Sequence, residues 1–204
     1  AMVLISNRDK LGIPEYISYG YIPAEKETES VSKTLEYAYN DWCIAMMAKR
    51  MKRKDLFEKY ISRSQYYKNC YNPSTGFMQS KVNGSWQYGF IPTEVNFNFT
   101  EANSWQYSMF VPHDISGLID LHGGKENFES KLDQLFETSS ALTGRHQSDI
   151  TGMIKSEKQA IKSVGGEIRY SNDKTFSSSF LINKFSDNIS DKQKQIFSTI
   201  NKKY

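Results

Sequence analysis

The sequence predicts an all-α fold built from helical hairpins that are joined by long loops. Apolar residues recur every three to four positions over residues 30–51 and again over residues 55–71, which is the spacing of amphipathic helices. A short basic link separates the two helices, and a turn containing Pro73 and Gly76 ends the second. Two helices connected in this way form an antiparallel hairpin, the repeating unit of helical toroids.

Length and composition are those of a globular chain with one core. The 204 residues are 38% hydrophobic, 24% charged and 14% aromatic. A net charge of +3 is too small to indicate nucleic-acid binding, and the basic run at 49–54 is better explained as a solvated helix end. No apolar run is long enough to span a membrane, and no signal peptide is visible. We therefore expect neither a nucleic-acid partner nor a membrane partner.

The first convincing helix follows an irregular entry segment. Residues 4–19 have ambiguous spacing and are interrupted by Gly12 and Pro14, so we expect a loop with at most one helical turn. Over residues 30–51 the apolar positions define one buried stripe, in which Trp42 is expected to be a core residue. The stripe consists of Val31, Leu35, Ala38, Trp42, Ala45 and Met46.

The second helix is predicted over residues 55–71, and its apolar face carries Leu56 and Tyr60. Cys43 and Cys70 fall on the two predicted helices without the spacing of a metal site. Neighbouring helices would allow them to pair, but we expect two buried free thiols.

Residues 77–100 are predicted to form a long loop over the helices, with room for a short strand pair. Gly84, Gly89 and Pro92 interrupt the aromatic residues here, and no helical period is visible. Ordered loops of this length commonly carry binding sites. Trp86 is therefore a candidate binding residue, although a role as a loop anchor explains it equally well.

Glu101 lies within an aromatic stretch, VNFNFTEANSWQYSMFVP, and is the candidate proton donor. Aromatic neighbours raise a carboxyl pKa by desolvation, as a general acid requires. A third helix is predicted to begin near Glu101 with Thr100 as its N-cap, so the carboxylate could equally just complement the helix dipole. Trp105 and Gln106 lie one turn further on, where a ring and an amide suit sugar binding.

Two further helices and a polar loop complete the part of the chain with clear patterns. Asp114 opens a short helix, and another is predicted over residues 125–139. His113 is better explained as a surface residue at the helix start than as part of a catalytic dyad, and the histidines share no zinc spacing. In the loop TGRHQSDITG, Gln147 offers an oxygen ligand for calcium, although polar loops are most often simply solvated.

Four separated blocks resemble one enzyme family in its own order. They are residues 21–48, 63–78, 95–114 and 143–152. Together they resemble the calcium-dependent α-mannosidases of glycoside hydrolase family 92. The resemblance implies that residues 1–154 form part of an (α/α)6-type catalytic domain, an incomplete toroid of helical hairpins. Residues 155–204, which are rich in Lys, Ser and Asn, are predicted to be a divergent tail.

The resemblance also implies a chemistry. It identifies Glu101 as the general acid of an inverting α-1,2-mannosidase that acts on terminal linkages of mannose-containing glycans. Trp105, Gln106 and Trp86 would then contact the sugar. Calcium would assist distortion of the sugar ring, with Gln147 as a metal contact. Members of the family are exported, so we expect a secreted or periplasmic protein.

The family segment thought to carry the catalytic base has no counterpart in this sequence. An inverting glycosidase needs a second carboxylate, roughly 6.5–9.5 Å from the acid, to activate water. The alternative is therefore an inactive helical fragment that binds sugar weakly or serves protein interaction. Helix faces left uncovered in such a fragment would favour self-association.

Overall fold

The computed structural model describes residues 2–138 and Gly144, and this part of the chain is broadly helical. Two units are distinguished, residues 2–122 with Gly144 and residues 123–138. The first unit contains helices α1 to α6, a 3-10 helix and four two-residue strands. In chain order these elements are α1 (Met2–Ile5), α2 (Ile13–Tyr19), α3 (Ser30–Arg50), α4 (Lys54–Arg63), the 3-10 helix (Tyr66–Cys70), β1 (Tyr71–Asn72), β2 (Phe77–Met78), β3 (Lys81–Val82), β4 (Ser85–Trp86), α5 (Ser104–Tyr107) and α6 (Ile115–Leu121).

The predicted hairpin of the two long helices is confirmed as α3 and α4. Lys52, with a φ of 56°, reverses the chain between them. Ile44, Ala45 and Tyr60 form a buried cluster between the two helices. The second helix is shorter than predicted, because α4 ends at Arg63 and the chain continues as a 3-10 helix. Trp42 is half-buried rather than in the core, and its ring stacks on Tyr39.

A buried ion pair fixes the hairpin to α2. The Nε of Arg63 donates a 2.7 Å hydrogen bond to Oδ2 of Asp41, and the Tyr16 hydroxyl donates to the same oxygen over 3.0 Å. The guanidinium also lies over the Tyr60 ring. Burial raises the pKa of Asp41 to about 6, while Arg63 acts in the opposite direction. The three helices are thus held by one polar cluster inside an apolar core.

The entry segment contains two short helices, α1 and α2, separated by residues 6–12, where a loop with one helical turn was expected. Gly12 and Pro14 do not interrupt structure here; they begin α2. Gly12 adopts a φ of 71° as the N-cap residue, and Pro14 occupies the first turn, where its missing N–H costs nothing. Both cysteines are free, as expected; Cys70 is buried and Cys43 half-buried.

The predicted loop over residues 77–100 contains one short antiparallel pair, in which β3 pairs with β4 through Lys81 and Trp86. A second pair joins the start of this loop to the preceding segment, because β2 pairs with β1 through Met78 and Tyr71. The short strand pair expected within the loop is therefore present as β3 and β4.

The third helix is much shorter than predicted and begins later. It is α5, a single turn whose N-cap is Asn103, not Thr100. Asn103 and Gln106 form a capping box, and Glu101 adopts the left-handed conformation with a φ of 47°, which cannot continue a right-handed helix. Ser104 Oγ donates to the Met78 carbonyl over 2.6 Å, which fixes α5 on β2.

The later helices lie where the sequence predicts them. Asp114 caps α6 by accepting a 3.0 Å hydrogen bond from the Gly117 amide. His113 is half-buried rather than on the surface, because its Nε2 lies 2.9 Å from the Ser64 carbonyl oxygen and its ring packs edge-on against Tyr67. The second unit contains α7 (Lys125–Glu137), on which Phe128 is buried.

Candidate active site

Glu101 occupies an exposed turn that has buried residues on both sides in the sequence. Its own side chain is exposed, whereas Phe99, Ala102 and Asn103 are buried. Within the described part of the chain its carboxylate forms no hydrogen bond or ion pair. The position two residues before the N-cap of a single helical turn argues against a role in complementing a helix dipole, because the dipole effect is confined to the first turn of a helix. The carboxylate is free to meet a ligand from solvent.

The turn is mounted on the first turn of α3. The amides of Glu29 and Val31 donate to the carbonyls of Phe97 and Asn98, so that main-chain oxygens satisfy donors at the helix start. No side chain caps this helix. The Thr100 amide then donates to Ser32 Oγ over 2.9 Å. The segment that leads into Glu101 is therefore attached to α3 at three consecutive points.

Trp105 packs on the strand pair beneath α5. The Trp105 ring packs edge-on against Phe77 with the centroids 4.6 Å apart. The Trp105 backbone amide donates a 3.0 Å hydrogen bond to Oδ1 of Asn103. The indole is half-buried. One part of the ring thus anchors α5, and the remainder is accessible.

Gln106 has a structural role that the sequence did not reveal. Its Oε1 accepts a 3.2 Å hydrogen bond from the Asn103 amide and completes the capping box. The predicted contact of this amide group with a sugar stays a prediction. Trp105 and Gln106 lie together on α5, directly after the Glu101 turn.

Trp86 lies on the β3–β4 hairpin with a cation against its ring. Lys81 Nζ is 4.3 Å from the Trp86 centroid and 4.8 Å from the Tyr21 centroid. The next residue, Gln87, ties this hairpin to the Glu101 segment, since Asn98 Nδ2 donates to Gln87 Oε1 over 2.8 Å. Trp86 is thus connected to the Glu101 turn through one side-chain amide.

Glu36 and Tyr107 are two residues that sequence reasoning missed. The Tyr107 hydroxyl lies 3.4 Å from Glu36 Oε1 and within reach of Ser32 and Thr100. Desolvation raises the pKa of Glu36, and the hydrogen bond from Tyr107 opposes that shift. The only available signal was the i, i+4 spacing of Ser32 and Glu36, which puts both on one face of α3.

A cavity of about 280 Å³ lies elsewhere in the first unit, beside Asp41 and Arg63. Its walls come from α1 to α4 and include neither Glu101 nor the tryptophans at positions 86 and 105. The cavity is therefore separate from the candidate active site.

The predicted metal contact, Gln147, lies outside the described residues. Within residues 2–138 and Gly144, no three His, Cys, Asp or Glu side chains are grouped so that they could hold a metal ion. The calcium contact at Gln147 stays a prediction. Gly144 has a φ of 101°, and a Cβ there would clash with the Val95 carbonyl oxygen.

Comparison with known proteins points to one family. The family model "Glycosyl hydrolase family 92 catalytic domain" matches residues 2–204. A protein of Arthroderma benhamiae described as an uncharacterized secreted glycosidase is 31% identical over 169 residues, covering 67% of this chain and 22% of the relative. None of the helices in the described part has the length and apolar character needed to cross a bilayer.

Solved structures agree with this assignment. A family 92 α-mannosidase from Bacteroides thetaiotaomicron matches with a TM-score of 0.64 and 38% identity, over 68% of this chain and 19% of that protein. A structure of the same enzyme holds mannoimidazole. An inverting family 92 mannosidase from the same species matches with a TM-score of 0.64 and 31% identity, over 79% of this chain and 23% of that protein. This chain spans about a fifth of these relatives, and it belongs to glycosyl hydrolase family 92.

Proposed function

We propose that this chain forms part of the catalytic domain of an inverting α-mannosidase that hydrolyses terminal α-mannosidic linkages, with Glu101 as the general acid. The observation that carries the proposal is the match of residues 2–204 to the family 92 catalytic-domain model, and the family 92 mannosidase structures at 31–38% identity support it. Glu101 itself lies in a turn with a left-handed backbone conformation. The turn is exposed at its tip and anchored on both sides, as a positioned proton donor requires.

In this mechanism Glu101 donates its proton to the glycosidic oxygen as the bond from that oxygen to C1 breaks. A water molecule attacks C1 from the opposite face and gives its proton to a second carboxylate, with inversion of configuration. The family pattern identifies no base among the residues of this chain. Trp105, Gln106 and Trp86 would hold the sugar through ring faces and an amide.

We extend the proposal to the architecture. The α3–α4 hairpin supports an incomplete (α/α) toroid, in which residues 1–154 belong to the catalytic domain and residues 155–204 are a divergent tail that the family model also covers. The secreted relative supports export of the protein. Calcium belongs to the proposal through the family alone.

A second candidate function is sugar binding without turnover. It is favoured by the lack of an assigned base and by the small share of each relative that this chain covers. Both candidate functions require a mannoside to bind next to Glu101, so hydrolysis separates them.

The test is hydrolysis of a mannobiose and of an aryl α-mannoside with a good leaving group, each with calcium and with chelator. Glu101→Gln should slow cleavage of the mannobiose by about 10²–10⁴-fold, because a sugar alkoxide leaves poorly without a proton. The aryl substrate needs little acid catalysis and should be affected far less.

Glu58→Gln is the control, because Glu58 is exposed on α4 and paired with Lys54. Undiminished mannobiose cleavage by Glu101→Gln would refute the acid assignment. Binding of mannoimidazole by a wild-type chain that hydrolyses neither substrate would favour the second candidate.

A further inference from the structure

A second carboxylate lies at the same end of α3 as the Glu101 turn. Glu36 follows Ser32 by one helical turn, and Ser32 accepts the hydrogen bond of the amide immediately before Glu101. Glu36 is exposed, so ligands can reach it from solvent. Glu36 and Glu101 are thus connected through Ser32 and Thr100.

The Glu36 carboxylate is held in place and keeps acceptor capacity. Tyr107 is half-buried and donates to Oε1 over 3.4 Å, and its ring packs near Phe99 and Phe110 with centroids 5.9 and 6.0 Å away. An ionised carboxylate offers about four acceptor positions, of which the tyrosine occupies one. The remaining positions suit donors that come from solvent or from a ligand.

Charge around Glu36 is mixed. Glu29 and Lys33 act on it in opposite directions, and partial desolvation strengthens the hydrogen bonds that it accepts. Lys33 is engaged by Glu27 at 2.7 Å and by Glu29 at 3.5 Å. Those two ion pairs hold Lys33, so no salt bridge is formed with Glu36 in the structure.

We propose that Glu36, held by Tyr107, is a substrate-binding residue that accepts hydrogen bonds from sugar hydroxyl groups beside Glu101. Neutral hydroxyl-rich ligands fit this site, because a carboxylate repels anions and accepts from several hydroxyls at once. The inference rests on the proposed function, since it assigns a further contact for the same glycan.

The experiment measures binding of methyl α-mannoside and mannobiose to the 204-residue chain by NMR titration, at a pH where Glu36 is ionised. Glu36→Gln should weaken binding about tenfold, because hydrogen bonds to charged acceptors are the stronger ones. Tyr107→Phe should weaken it by a smaller factor, since the carboxylate stays but loses its fixed position. Glu58→Gln should bind like the wild type.

Three outcomes are distinct. Wild-type affinity in a folded Glu36→Gln variant would overturn the inference and leave the proposed function standing. If Glu36→Gln does not fold, wild-type sugar affinity in Tyr107→Phe would overturn the inference that Tyr107 holds Glu36 for sugar binding. A folded wild-type chain that binds neither sugar would overturn the proposed function, and this inference with it.

Discussion

At the level of single residues, the candidate site depends on backbone conformations that could not be predicted from the sequence. Resemblance singles out Glu101, yet nothing in TEAN predicts a φ of 47°. Left-handed conformations of non-glycine residues arise where surrounding contacts impose them, here the hydrogen bond from Thr100 to Ser32 and the buried Asn103. Gln106 illustrates the same limit, because its use in a capping box depends on where the helix begins.

Replacing Glu101 by glycine should separate stability from function. Glu101→Gly relieves the left-handed strain and should raise the free energy of unfolding by up to about 1 kcal/mol, while mannobiose cleavage is lost. Urea unfolding followed by circular dichroism measures the first effect. Lys52→Gly is the matched control, because Lys52 has a φ of 56° away from the site. It should gain similar stability without loss of function; a loss of stability in both variants would contradict the strain.

Asp41 should make stability depend on pH. Its pKa is raised to about 6 in the folded protein, so the folded state holds a proton that the unfolded state has released. The contribution of Asp41 is therefore present below pH 4 and declines as pH rises from about 4 to 6. Urea titrations at several pH values should show the unfolding free energy of the wild type, minus that of Asp41→Asn, falling across this window. A difference that rises with pH would mean that Arg63 dominates.

Among the elements, the long helices were predictable and the short ones were not. The α3–α4 hairpin follows from apolar periodicity over many residues, a signal that survives local exceptions. By contrast, α5 is a single turn placed by its capping box and by docking of Ser104 on β2, both of which depend on distant residues. Gly12 and Pro14 were misleading for a related reason, because both residue types occur at the start of a helix as well as in loops.

The attachment of the Glu101 segment to α3 should depend on the Ser32 hydroxyl, which accepts the hydrogen bond of the Thr100 amide. Ser32→Ala leaves the Thr100 amide without its acceptor and should lower the free energy of unfolding by about 1–3 kcal/mol. Hydrogen exchange should also accelerate at Thr100. Ser116→Ala, on the exposed side of α6, is the control and should change neither quantity. Unchanged exchange at Thr100 in Ser32→Ala would show that this hydrogen bond does not hold the segment.

Across the whole molecule, family membership is the firmest conclusion, and resemblance of separated blocks predicted it. Physical patterns predicted a helical chain, but they placed the candidate acid at the start of a third helix, whereas it lies in a turn before α5. They could not supply the base, because an inverting mechanism needs two carboxylates brought together by tertiary structure. Glu36 shows why: its relation to Glu101 passes through Ser32 and Thr100, which are 68 residues apart in sequence.

Gly144 lies close to the backbone of the segment before Glu101, and this contact can be tested. A Cβ at this position would clash with the Val95 carbonyl oxygen, and the φ of 101° disfavours any residue other than glycine. Gly144→Ala should therefore lower the free energy of unfolding by about 1–3 kcal/mol. Gly84→Ala is the control, because Gly84 has a φ of 79° with no atom within 4 Å of a Cβ. Equal losses in a thermal melt would mean that conformation alone, without the contact, matters at Gly144.

The way α3 begins has a dynamic consequence. Helix starts ordinarily fray on their own, but here the amides of Glu29 and Val31 are held by the carbonyls of residues 97 and 98. Fraying of the helix start therefore breaks the hydrogen bonds that hold the Glu101 segment. Under the proposed function, the proton donor is fastened to α3, and we expect any gating that admits a glycan to come from other segments.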